Sequence, residues 1–194
     1  MPPQSPAARI AIVSDEADED FEKALALCLP LGIRAYELRK LPGGRIPWCN
    51  EDPLHAVADA ARRHALSLIG VSPGFFRQKF ENPVRLRELD EGLPRLFRIM
   101  DTLSIRRVTL FTFPREGTGP LPPAPVLDLL ADACERCRRQ GHEVLIENIA
   151  GHWADTGEHT AQLARALGVG VTWDPANAAA SGEDPLQAGY PSVR

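Results

Sequence analysis

Nothing in the 194 residues reads as a membrane span: no apolar run approaches the roughly 20 consecutive residues that a bilayer-crossing helix needs. A basic excess is missing too. Lys and Arg number 22 against 26 Asp and Glu, a formal net charge of −4, so the chain as a whole has no field that would gather phosphate backbones or anionic lipid. Met1 to Arg9 is Pro-rich and polar and lacks the apolar stretch of a secretory signal. These absences argue against nucleic-acid and membrane partners and make a cytoplasmic protein the expectation. Residues 1–8 are expected to form a disordered lead-in to a single domain over residues 9–194.

Cysteine is also sparse. Cys28, Cys49, Cys134 and Cys137 are scattered and have no secretory context, which favours free thiols over a disulfide framework. The Cys134-x-x-Cys137 pair lies in a segment of helical periodicity, and no second CxxC or His pair completes a zinc tetrad. Two thiols on one helix face are therefore expected. A Gly-rich phosphate loop is absent after the first apolar run, where Asp15-Glu16 stands instead, and this disfavours a dinucleotide-binding doubly wound sheet.

What is present is alternation. Apolar, strand-like runs fall at about 9–14, 34–38, 66–72, 108–113, 144–147 and 169–174, and helical patterns fall at 18–29, 54–64, 86–103, 126–140 and 160–167. Regular β then α order implies a parallel sheet covered by helices. The repeat is roughly 30 residues, so eight units would need about 250 residues. This chain holds about six, an incomplete (β/α)8 TIM barrel. Pro and Gly gather at Pro42 to Pro47 and Arg115 to Pro125, in segments that follow strands, where a barrel builds its mouth.

Counting by twos, the faces that lead to Glu37, Glu147 and Asp174 carry charge only at their C-terminal ends. Glu37, Glu147 and Asp174 each close an apolar run, and an ionised carboxylate there needs a partner, a metal or water. Glu147 and Asp174 are the principal candidates for a metal or acid/base site. For Asp174-Pro175 the competing reading is a helix N-cap with Pro at the first helical position. For Glu37 it is an ion pair with Arg39 or another basic residue. Asn148 and Asn177 closely follow the two acids, and their amides either orient a ligand or fix the loop. Arg115 opens the loop after the fourth strand, as a binder of phosphate or hydroxyl or as a solvated cation. His152 and His159 follow Glu147 but occupy no strand end.

Taken together, Asp15-Glu16, Tyr36-Glu37-Leu38-Arg39, Ser72-Pro73 with Phe75-Phe76, Phe111-Thr112-Phe113-Pro114-Arg115, Ile146-Glu147-Asn148 and Trp173-Asp174-Pro175-Ala176-Asn177 resemble the xylose isomerase-like TIM barrels, the sugar phosphate isomerases and epimerases. The resemblance implies a divalent ion, commonly Mn, Mg or Co, with Glu147 as first ligand and acid/base group and Asp174 as second. It also implies a small carbohydrate substrate interconverted through an enediolate, for which Glu37, Arg115, Asn148 and Asn177 are the candidate contacts read from the residues themselves. The family's His and second Glu ligands belong to two later strands, so the chain is expected to be truncated at its C-terminus. Two alternatives accompany this reading: a non-catalytic remnant or binding module of the same fold, and an apurinic endonuclease-like metal hydrolase. Oligomeric state is left open.

Overall fold

The computed structural model describes residues 10–194, and the expected N-terminal lead-in lies outside the described residues. The described residues divide into two compact units, 10–73 with Pro94–Arg107, and Gly74–Leu93 with Val108–Arg194. Among the described residues no helix is long and apolar enough to cross a membrane.

In the first unit β1 (Ala11–Val13) leads through α1 (Ser14–Ala17) and α2 (Phe21–Cys28) to β2 (Ala35–Leu38). Asp20 starts α2, its Oδ1 accepting from Glu22 N at 3.0 Å, and Gly32 at φ 77° ends the following turn. A hairpin of β3 (Lys40–Leu41) and β4 (Gly44–Arg45) comes next, then α3 (Glu51–His64) and β5 (Ser67–Val71). β1, β2 and β5 are parallel, with Val13 opposite Glu37 and Glu37 opposite Gly70. Tyr36 and Leu38 on β2 are fully buried while Ala35 and Glu37 are half-buried, the period of two that a one-sided strand requires. Phe21 of α2 meets Tyr36 edge-on with ring centroids 5.5 Å apart, and burying each such ring contributes about 1.5–3 kcal/mol.

α4 (Val84–Arg87) runs through a π-turn at Glu88–Gly92 into α5 (Leu93–Leu103), the segment that the sequence presents as one helix. The second unit then carries β6 (Arg107–Leu110), α6 (Ala124–Arg139), β7 (Glu143–Glu147), α7 (Gly157–Leu167), β8 (Gly170–Thr172) and α8 (Pro175–Ala180). A second π-turn, Pro185–Gly189, leads to α9 (Tyr190–Val193). β7 and β8 are parallel, with Leu145 opposite Gly170 and Glu147 opposite Thr172. Val144 and Ile146 are buried on the face covered by α6 and α7, which leaves Leu145 and Glu147 on the other face. The strand expected over 108–113 stops at Leu110. Phe111 and Phe113 donate their N–H groups to Phe75 and Phe76 carbonyls at 3.2 and 2.8 Å, and Phe113 turns to φ 62°. Strand and helix thus alternate six times along the chain, the arrangement expected of an incomplete barrel.

Candidate functional site

Glu147 closes β7, where the half-buried face of that strand ends. Asn148, the next residue, has no exposed surface. Its Nδ2 donates to Asp174 O at 2.8 Å and its Oδ1 accepts from Asp174 N at 2.6 Å. One amide therefore satisfies both backbone groups of the residue that begins α8. Asp174 is the N-cap of that helix: Oδ1 accepts from Ala176 N at 2.7 Å and from Asn177 N at 3.0 Å. Asn177 Nδ2 donates both to Asp174 Oδ2 and to Asn148 O, each at 2.9 Å. Asn148, Asp174 and Asn177 form one connected group, in which both asparagines fix the loop, and Glu147 precedes it in the chain. Oδ1 of Asp174 spends its two lone pairs on N–H groups, whereas Oδ2 retains one for a ligand.

Arg115 is committed within the protein. Its side chain is 14% exposed, and it donates to Gly119 O at 2.7 Å, Trp153 O at 3.0 Å and Asp155 Oδ1 at 3.3 Å. Its guanidinium also lies 4.7 Å from the Trp153 ring centroid. Asp155 takes His159 Nδ1 as well, at 2.7 Å, so His159 is a loop-fixing histidine. His152 is buried, and burial, aided by the Arg77 guanidinium, lowers its pKa below the usual histidine value.

In the first unit Glu37 Oε1 accepts from the buried Ser72 hydroxyl, and the missing side chain of Gly70 leaves room beside Oε2. The Arg39 partner expected for Glu37 pairs elsewhere, with Asp15 at 2.7 Å and Glu16 at 2.5 Å. Glu37 is thereby left for Ser72 and for whatever enters at this strand end.

Sequence reasoning missed Glu88. This side chain is 8% exposed, and burial raises its carboxyl to about 7 while it accepts Phe76 N–H at 2.9 Å. Phe76 has φ 64°, an unfavourable value for an aromatic residue, and the Glu88 bond helps hold it there. The sequence carries no local signal for it, because Glu88 stands close to Arg87, Asp90 and Glu91 in what reads as the solvent side of a helix. The Cys134 and Cys137 thiols are buried in α6 and raised by burial to about 11 and about 12. Among the described residues no group of three or more His, Cys, Asp or Glu side chains is placed to hold a metal.

Parallel strand and helix units with acids only at strand ends define a chain of the TIM barrel class. A sequence model of the xylose isomerase-like TIM barrel family matches residues 17–191, and the chain belongs to that family. Comparison with curated proteins gives no match. Solved structures share the fold. AsbF of Bacillus anthracis, described as a probable 3-DHS dehydratase in petrobactin synthesis, is 13% identical at a TM-score of 0.72, over 95% of this chain and 69% of its own. The IOLI protein, solved with a bound zinc atom, is 15% identical at 0.67, over 89% and 65%. Protein SMc04130 of Sinorhizobium meliloti 1021 is 19% identical at 0.63, over 88% and 64%. The chain thus spans just under two thirds of the length of the last two.

Proposed function

We propose that the chain carries part of the divalent-metal site of a sugar, sugar phosphate or keto-polyol isomerase or epimerase, with Glu147 and Asp174 as ligands. The observation behind this reading is the placement of both acids at the ends of adjacent, in-register strands in a chain of this family. The donor chemistry fits: carboxylate oxygens suit hard cations such as Mg and Mn, and Asp174 Oδ2 has a lone pair to give. The zinc in the IOLI structure supports a metal in this fold. Two carboxylates are fewer than the three protein ligands of a typical catalytic zinc site, so other oxygens or nitrogens complete the coordination.

A bound divalent ion would polarise the carbonyl and hydroxyl oxygens of the substrate. Glu147 moves the proton on the carbon beside the carbonyl, the step that leads to an enediolate. Asn148 holds the Asp174 backbone and Asn177 keeps the Asp174 carboxylate from rotating, which lowers the entropy lost when it takes up a ligand. Arg115 shapes the mouth by holding its loop.

Calorimetric titration with Mn(II) tests this. Saturable binding of about one ion is expected, weakened about ten-fold or more by E147Q and by D174N, a change of roughly 1.4 kcal/mol or more. Asn is as good an N-cap as Asp, so D174N keeps the α8 start while losing the charge. Exchange of carbon-bound hydrogen with D2O, followed by NMR over a ketose panel, is expected in the loaded protein and lost in E147Q. An absence of saturable Mn(II) binding would sink the proposal.

A further inference from the structure

Helices α3 and α5 leave a cleft of about 280 Å³ between them, built entirely within the first unit. Its apolar wall is Leu54 of α3 with Ile99 and Leu103 of α5, the last two almost fully buried. Around that wall stand Glu51 and His55 of α3 and Arg95 and Arg98 of α5. Arg95, Arg98, Ile99 and Thr102 recur at intervals of three and four, so they share one face of α5 and bring two guanidiniums to one opening.

Neither guanidinium is neutralised. Among the described residues Arg95 and Arg98 have no carboxylate within ion-pair distance, and half-buried Arg95 commits one donor to Cys49 O at 3.4 Å. The arginines that end α3 are matched by contrast, Arg62 by Asp59 and Arg63 by Glu22. Two like charges three positions apart destabilise a helix, and an anion between them removes that repulsion. A concave apolar wall rimmed by a few convergent polar groups is the form that small-ligand sites take.

We infer that the cleft between α3 and α5 binds a small amphipathic carboxylate, its head group held by Arg95 and Arg98 and its aliphatic body lying on Leu54, Ile99 and Leu103. The guanidinium fork matches a carboxylate with parallel hydrogen bonds. Two guanidiniums against the one carboxylate of Glu51 leave a single unbalanced positive charge on these three groups, which suits a monoanion better than a phosphate dianion. The volume lies just under the roughly 300–1,000 Å³ of pockets for drug-sized ligands, so a body of about six carbons is expected. Helices rather than strand ends form this cleft. Its ligand is therefore additional to any substrate of Glu147 and Asp174, and the inference does not depend on their role.

The test is an NMR titration of the metal-free protein with hexanoate, at an ionic strength held constant with chloride. The Arg95 and Arg98 Nε–H signals and the Leu54 and Ile99 methyl signals are expected to move together and to saturate. Acetate, which lacks the aliphatic body, and hexyl phosphate, which carries the second charge, are expected to bind more weakly, and hexylammonium not to saturate. R95Q and R98Q are expected to weaken hexanoate about ten-fold or more, and R62Q, which changes an Arg of α3 outside the cleft, less than about two-fold. Unchanged amide signals away from the cleft show that each variant is folded. Failure of hexanoate to saturate, equal titration of R98Q and the unsubstituted protein, or hexylammonium binding as tightly as hexanoate overturns the inference. Tighter binding of hexyl phosphate than of hexanoate overturns the assignment of a carboxylate.

Discussion

Asn148 and Asp174 are joined through the backbone of the acid and the side chain of the amide, 26 positions apart in sequence, by bonds of 2.8 and 2.6 Å. The clamp fixes where α8 begins, and so which way the Asp174 carboxylate faces. Replacing Asn148 with Ala strands the Asp174 N–H, while Asp174 O keeps its bond from Ala178 N at 3.1 Å, and is expected to lower stability by about 1–3 kcal/mol in urea unfolding. N148D keeps the shape but loses the donor, and its anionic oxygen faces a carbonyl. It is expected to be at least as destabilised as N148A, and equality of N148A with the unsubstituted protein would show that the clamp contributes nothing.

Glu88 makes stability depend on pH in the direction opposite to most carboxylates. Its folded pKa of about 7 lies above its ordinary value of 4.5, so the folded state holds the proton more tightly than the unfolded chain. The associated stability is complete below about pH 4.5 and is lost as pH rises towards 7. E88Q, which cannot ionise, is expected to gain on the unsubstituted protein by up to a few kcal/mol across that window. Denaturant melts at pH 4.5, 6 and 7.5 read this out, and a constant difference between the two proteins would contradict it.

The thiols make a simpler case. All four cysteines are buried, and burial raises Cys134 to about 11 and Cys137 to about 12, so little thiolate exists near neutral pH. An aromatic disulfide reagent at pH 8 is expected to modify none of them within minutes in the folded protein and all four in denaturant. Rapid modification of the Cys134 and Cys137 pair in the folded state would point to an opening of α6.

The sequence could show period and punctuation, and therefore the strand ends at Glu37 and Glu147 and the cap at Asp174-Pro175. All of these depend on residues close together in the chain. It could not show that Arg39 reaches back 24 positions to Asp15, or that Arg115 spans 40 positions to Asp155. Those partnerships are created by folding, and they turn apparent ligands into supports. Phe111 to Phe113 read as strand because aromatic residues favour that state, but hydrogen bonds to Phe75 and Phe76 draw them out of it. Glu88 was hidden by its setting, since one acid among Leu86, Leu89 and Leu93 looks like the solvent face of an ordinary helix until the π-turn rotates it inward.

Gly157 and Gly189 have room for hydrogen only. A methyl group on the first would overlap the backbone of the second, and one on the second would overlap Trp173. Glu183 adds a bond to the Gly157 N–H at 2.8 Å, so the turn after α8 closes over the start of α7. Two side chains that are not there thus set how closely the last residues approach. A substitution that loosens either the start of α7 or the segment around Gly189 therefore removes a packing partner from the other.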